Sequence, residues 1–196
     1  MNPARAWVAL ALAWPVCAAA HSETASTGGL ISGLVHPVSG LDHVLAMIAV
    51  GLWGAQLGAP AMWALPVVFP MVMALGGMLG LLGIGLPAVE LAIALSAVAL
   101  GFAVFREARP RLWIAAAIVG FFAIFHGHAH GTELPEGANG LLYSIGFVAA
   151  TGLLHALGIA LGLVHRWAAG RLAVRAAGAL VAVAGAVFLW RLAGSA

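Results

Sequence analysis

Residues 62–82 read MWALPVVFPMVMALGGMLGLL, an uncharged run long enough to cross a bilayer as one helix. The run is typical of the chain. Of 196 residues, 64% are hydrophobic and 7% charged, and mean hydropathy is +1.10. A soluble domain carries about 25% charged residues, so a water-soluble globule is excluded. Eight arginines and no lysine leave no phosphate-tracking surface, which excludes a nucleic-acid partner. The partner in view is the lipid bilayer.

Working outward from residues 62–82, proline, glycine and arginine punctuation divides the chain into six spans. They are Pro37–Leu57, Met62–Leu82, Ala88–Phe105, Leu112–Gly131, Gly140–Val164 and Leu172–Leu192. Before them, Arg5, the apolar run from Ala6 to Val16 and Ala18–Ala20 form the n-region, h-region and A-x-A pattern of a cleaved secretory signal. Residues 1–20 are therefore expected to be removed. Cys17, the single cysteine, leaves with them, and thiolate chemistry with it. The expected fold is an all-α membrane protein, a six-transmembrane-helix bundle over residues 21–196. Leu30–Val35 is too short to span and reads as an interfacial or re-entrant entry segment.

Orientation follows from the arginines. Arg106, Arg109 and Arg111 fill the link between the third and fourth spans, and Arg166, Arg171 and Arg175 surround the link between the fifth and sixth. The positive-inside bias makes both links cytoplasmic. The Thr132–Asn139 link, with Glu133 and Glu136 and no arginine, then lies outside, and both mature termini are periplasmic. Trp53, Trp63, Trp113 and Trp167 fall at the cytoplasmic boundary, where amphipathic rings anchor helices. Gly76/Gly80 and Gly158/Gly162 have the spacing of close helix–helix contacts. Both halves open with a His-bearing helix, which makes a three-plus-three inverted arrangement conceivable.

An ionisable residue inside a span costs about 2.5–3.5 kcal/mol on insertion scales, so each calls for an explanation. Pro37 suits the first helical position of its span, with His36 beside it as a cap-like residue. At about 100° per residue, His36 and His43 then fall within roughly 20° of each other. Asp42 can bind a cation or orient an imidazole. In the fourth span His126, His130 and Glu133 are spaced i, i+4, i+7 and share a face, whereas His128 points the opposite way. Glu90 reaches the same depth from the third span. Three segments thus deliver His and carboxylate groups to one extracytoplasmic level, a donor set suited to nickel, cobalt or zinc rather than copper(I). His155, deeper in the fifth span, reads equally as a relay ligand or a packing residue. Met71, Met73 and Met78 read as packing, His165 as an interfacial side chain. His21 would begin the mature chain, where its amine and imidazole could capture metal.

These residues also carry a resemblance. His36-Pro37-x-x-Gly40-x-Asp42-His43-x-Leu45-Ala46-Met47 with Gly51-Leu52-Trp53, and Phe125-His126-Gly127-x-Ala129-His130-Gly131-x-Glu133-x-Pro135, resemble the two signatures of the HupE/UreJ family. Pro87-x-x-Glu90 and Leu154-His155 sit where that family would have them. The resemblance covers essentially the whole chain. It implies a multi-pass permease of the bacterial inner membrane that carries nickel, or cobalt, into the cytoplasm and supplies hydrogenase or urease maturation, a link to those maturation proteins that is indirect. It implies no enzyme and no prosthetic group; Ni2+ or Co2+ is the cargo. The metal-handling candidates are His36, Asp42, His43, Glu90, His126, His130, Glu133 and His155. The same donors could serve an intramembrane zinc hydrolase, although H-E-x-x-H is absent. Whether the chain forms a homo-oligomer stays open.

Overall fold

A computed structural model describes residues 29–134 and 139–194. The leader over residues 1–20, together with Cys17, His21 and Glu136, lies outside the described residues. Every regular element among the described residues is helical: α1 (Gly29–Ser39), α2 (Leu41–Leu57), α3 (Ala61–Leu81), α4 (Val89–Arg106), α5 (Leu112–Thr132), α6 (Gly140–Gly162) and α7 (Ala168–Gly194). A short 3-10 turn, Leu163–Arg166, extends α6. Helices α3 to α7 are each long and apolar enough to cross a membrane, and α1 with α2, bent by 82°, passes the same test only as a pair, which makes six spans when the two are counted as one.

That break corrects the reading of the first span. Pro37 does not open a helix; it lies inside α1, and the chain turns by 82° between α1 and α2. The break falls at Gly40, whose φ of −99° and ψ of 116° are extended. Glycine is a poor helix interior residue, and the Asp42 carboxylate takes the His43 backbone N–H at 2.8 Å, a local bond that competes with helix continuation. His36 and His43 therefore stand on two helices rather than on one face.

Helix pairing rests on glycines at which two backbones touch. A Cβ built on Gly33 would fall into the Tyr143 carbonyl, one on Gly158 into the Ile48 carbonyl, and one on Gly76 into the Ile124 carbonyl. In lipid, where no hydrophobic force drives helices together, such close approach supplies the van der Waals contact that does. Gly33 meets Tyr143 and Gly162 meets Leu52, so the first span and α6 run the same way. Gly120 lies by Val68 and Gly80 by His128, so α3 and α5 also run together. Gly101 meets Ala182 and Gly185 meets Val98, so α4 and α7 are antiparallel. Exchanging the first three spans with the last three leaves these pairs unchanged, as an inverted arrangement requires.

Helix α2 is the centre of the bundle: every residue from Ala49 to Gln56 is buried. Trp53 is among them, 1% exposed, with its indole N–H donating to the Ala108 carbonyl at 2.9 Å. Its assignment as a membrane anchor is thus corrected; it braces the α4–α5 link from inside. Trp63, Trp113 and Trp167 are exposed. Gln56 donates to the Val104 carbonyl at 3.0 Å and Arg175 to the Phe105 carbonyl at 3.0 Å. Arg171 makes two bonds to Glu107, which hold the Glu107 carboxyl below its usual range. A lowered carboxyl contributes above its unfolded pKa of about 4.5 and loses that contribution as the pH falls. The arginine-bearing end of the bundle is closed by these ties. Of the methionines considered, Met73 is core and Met71 and Met78 are exposed on the outer surface.

Candidate metal centre

The opposite end of the bundle gathers the imidazoles. Helix α5 stays regular through His126 and His130 and ends at Thr132, with Glu133 as its C-cap. The predicted stripe is formed: His126 and His130 are buried, and Glu133 emerges at the tip. The bend at Gly40 swings α1 over this tip. His36 Nε2 lies 3.2 Å from Glu133 Oε2, and this hydrogen bond holds the Glu133 carboxyl below its ordinary range. His36, His130 and Glu133 each offer one ligand atom, all within 4.8 Å of one another.

From there the rings form a ladder into the bundle. Centroids are 4.8 Å apart for His36–His130, 4.3 Å for His130–His43 and 4.6 Å for His43–His126. Phe147 flanks His130 at 4.5 Å. Thus the break that separates His36 from His43 in the helix still delivers both rings to His130.

Hydrogen bonds fix which nitrogens are free. His43 Nδ1 is 2.9 Å from Asp42 Oδ1. A carboxylate only accepts, so Nδ1 carries a proton, and in the neutral ring the buried, unpartnered Nε2 keeps its lone pair. Ser96 does the same for His126. Its hydroxyl donates its one proton to the Ile93 carbonyl at 2.6 Å, so its 2.9 Å contact with His126 Nε2 must accept the imidazole N–H. In the neutral ring Nδ1 is then bare, and it too is buried and unpartnered. Both nitrogens of His130 are buried without a partner. Such a concentration of bare imidazole nitrogen beside a carboxylate is a donor set for a borderline dication, and outer partners that orient the rings are a regular feature of such sites.

The other sequence candidates fall around this centre. Asp42 stands behind His43 as its acceptor. Glu90 and Asp42 line an adjoining cavity of about 330 Å3 with Ala94, Phe188 and Arg191. His155 is buried but apart from the cluster, beyond the Phe69 ring. His128 points away as expected and is tied to the Ile84 carbonyl at 2.9 Å. His165 is bonded to the Gly162 carbonyl at 2.8 Å and takes no part.

Sequence reasoning missed Ser96. The signal was available: it is the one hydroxyl in the apolar helix α4. Ser96→Ala frees the His126 tautomer and is expected to weaken metal affinity by about 10-fold, with Ser96→Thr restoring it. Equilibrium dialysis with nickel on the purified variants checks this, and the imidazole nitrogen NMR shifts of His126 report the tautomer directly.

A family model described as HupE / UreJ protein matches residues 8–188. Protein HupE of Rhizobium leguminosarum bv. viciae is 50% identical over 179 residues, which cover 91% of this chain and 93% of that protein. No solved structure matches the chain. A match of this extent does not favour the hydrolase alternative, because the family consists of transporters and accessory proteins rather than enzymes. With a His-rich centre set in a bundle of membrane spans, the chain belongs to the HupE/UreJ family and to metal transport across a membrane.

Proposed function

We propose that this chain carries nickel, with cobalt as a second cargo, inward across the bacterial inner membrane for hydrogenase or urease maturation. The observation that carries the reading is the meeting of His36, His130 and Glu133, with ligand atoms within 4.8 Å, at the end of the bundle away from the arginine ties. The arginine-bearing links support a cytoplasmic position for that end, and hence a periplasmic position for the cluster.

In this mechanism Glu133 and Asp42 attract the hydrated dication, and Glu90 adds a third carboxylate at the adjoining cavity. His36, His130, His43 and His126 then replace some of its water ligands. The ladder offers overlapping sets of donors instead of one closed cage. Hold is therefore strong enough for entry and weak enough for departure, which conduction requires.

Radioactive nickel uptake into cells or sealed vesicles carrying the chain tests the proposal, with cobalt and zinc as competitors. Saturable nickel entry, suppressed by cobalt more than by zinc, is the expected result. No entry of any of the three, with the protein intact in the membrane, would overturn it.

A further inference from the structure

Beyond the Phe69 ring lies a second group of polar atoms without partners. Thr151 and His155 sit one turn apart on α6, 0% and 1% exposed. Thr151 Oγ1 and both ring nitrogens of His155 are buried and make no hydrogen bond. The Pro66 carbonyl lies close enough to act on the His155 ring, though outside hydrogen-bond geometry. In a regular helix the N–H of residue 70 would occupy that carbonyl, but residue 70 is Pro70, which has none. An imidazole and a freed carbonyl thus meet in the interior of a membrane bundle, with a hydroxyl one helical turn away on α6. Unsatisfied groups are costly there and persist where they line an ion's path.

The position is as informative as the donors. Phe69 makes edge contacts with His126 on one side, at 5.5 Å, and with His155 on the other, at 5.3 Å. His155 therefore lies no more than about 11 Å from the innermost ring of the metal centre, on the side of the arginine-bearing end. Its neighbour across the helix contact is Gly51, two turns further along α2 than His43. The outer cluster holds carboxylates; this group offers neutral nitrogen and oxygen. A dication passing from one to the other moves from a charged donor set to an uncharged one, from which departure is easier. Two dications so close in a low-dielectric interior repel strongly, so the two places fill in turn and not together.

We propose that Thr151, His155 and the Pro66 carbonyl form an inner, transient site for a divalent transition-metal ion. The site rests on the transport reading above, and it adds the step that follows release from the outer cluster.

The test uses the purified full chain and Co2+, whose visible absorption reports its ligands, alongside nickel uptake in vesicles. His130→Ala, which damages the outer cluster, is expected to retain a weaker Co2+ spectrum, and adding His155→Phe is expected to remove it. In the His130→Ala background, Thr151→Val should weaken Co2+ binding by about 10-fold and Thr151→Ser should restore it, a pair that changes little in volume. His155→Phe alone should still bind Co2+ at the outer cluster while nickel uptake falls by about 10-fold or more. Unchanged Co2+ binding when His155→Phe is added to His130→Ala would overturn the proposal. So would wild-type uptake by both His155→Phe and Thr151→Val. Failure of the transport reading would show separately, as absent uptake by the wild-type chain, because the binding measurements are made without a gradient.

Discussion

His130→Ala is expected to lower nickel entry by at least about 100-fold, to the background of cells lacking the protein, while membrane abundance stays near normal. Loss of a group that merely orients a ligand costs about 10–100-fold in affinity or activity, and His130 is placed to do more. Its ring touches both His36 and His43, so it joins the donors of the bent α1 to those of α2. Neither of its nitrogens has a partner, so removing them leaves no buried group unsatisfied, and the fold loses packing against Phe147 but no hydrogen bond. His43→Ala should behave alike, with the further consequence that Asp42 loses the ring it orients. His165→Ala is the control, since that ring bonds only the Gly162 carbonyl among the described residues and should leave uptake unchanged. Uptake per unit of immunodetected protein makes the measurement. Wild-type uptake in both site variants would remove the cluster from the mechanism.

Gly127→Leu should act on the fold instead, and is expected to cost about 3 kcal/mol or more through overpacking. Gly127 lies between His126 and His128 on α5, and a Cβ there would enter the Met73 carbonyl and press on the Gly77 backbone N. No rotamer relieves a clash with backbone, so α3 and α5 must separate. The separation would also move His126 and His130, which ride on the same turns. Loss of the folded peak in detergent chromatography, and of protein from the membrane, checks the expectation. Gly152→Ala is the matched control: nothing lies within 4 Å of its added methyl. Exchanging glycine for alanine in that exposed helical position should be neutral or stabilising by up to about 1 kcal/mol.

Most span boundaries were legible because an apolar run can end only where glycine, proline or charge permits: five of the six lie within about four residues of the helices found at both ends, whereas the first was begun at Pro37 and the helix starts at Gly29. The convergence of His36, His43, His126, His130 and Glu133 was legible for a related reason: imidazoles and carboxylates are scarce in this chain, so two clusters at one depth stood out. The bend was not legible. Pro37 is the conspicuous helix breaker, yet the chain breaks at Gly40, where the Asp42 side chain takes over a backbone N–H. Depth alone put Trp53 at the lipid boundary; its burial follows from α2 being central, which hydropathy does not encode. Ser96 and Thr151 passed unnoticed because a hydroxyl is inexpensive in a span and can bond its own helix. Only the structure shows Ser96 reaching His126 and Thr151 reaching nothing. The freed Pro66 carbonyl needed Pro66 and Pro70 to be read as a pair facing a neighbour.

The broken first span has one more consequence, which is electrical. A helix end that exposes its last carbonyls carries a fractional negative charge of about −0.5. Breaking the span at Gly40 creates such an end in α1, with His36 in its last turn, and α5 presents a second, with His130 in its last turn. Two carbonyl ends therefore lie near His36, His130 and Glu133, while the same break opens the N-terminus of α2, of opposite sign, with Asp42 in its first turn. The broken span thus matches each of its new ends with a side chain that suits it, His36 in the last turn of α1 and the Asp42 carboxylate in the first turn of α2, an arrangement that an unbroken helix could not offer.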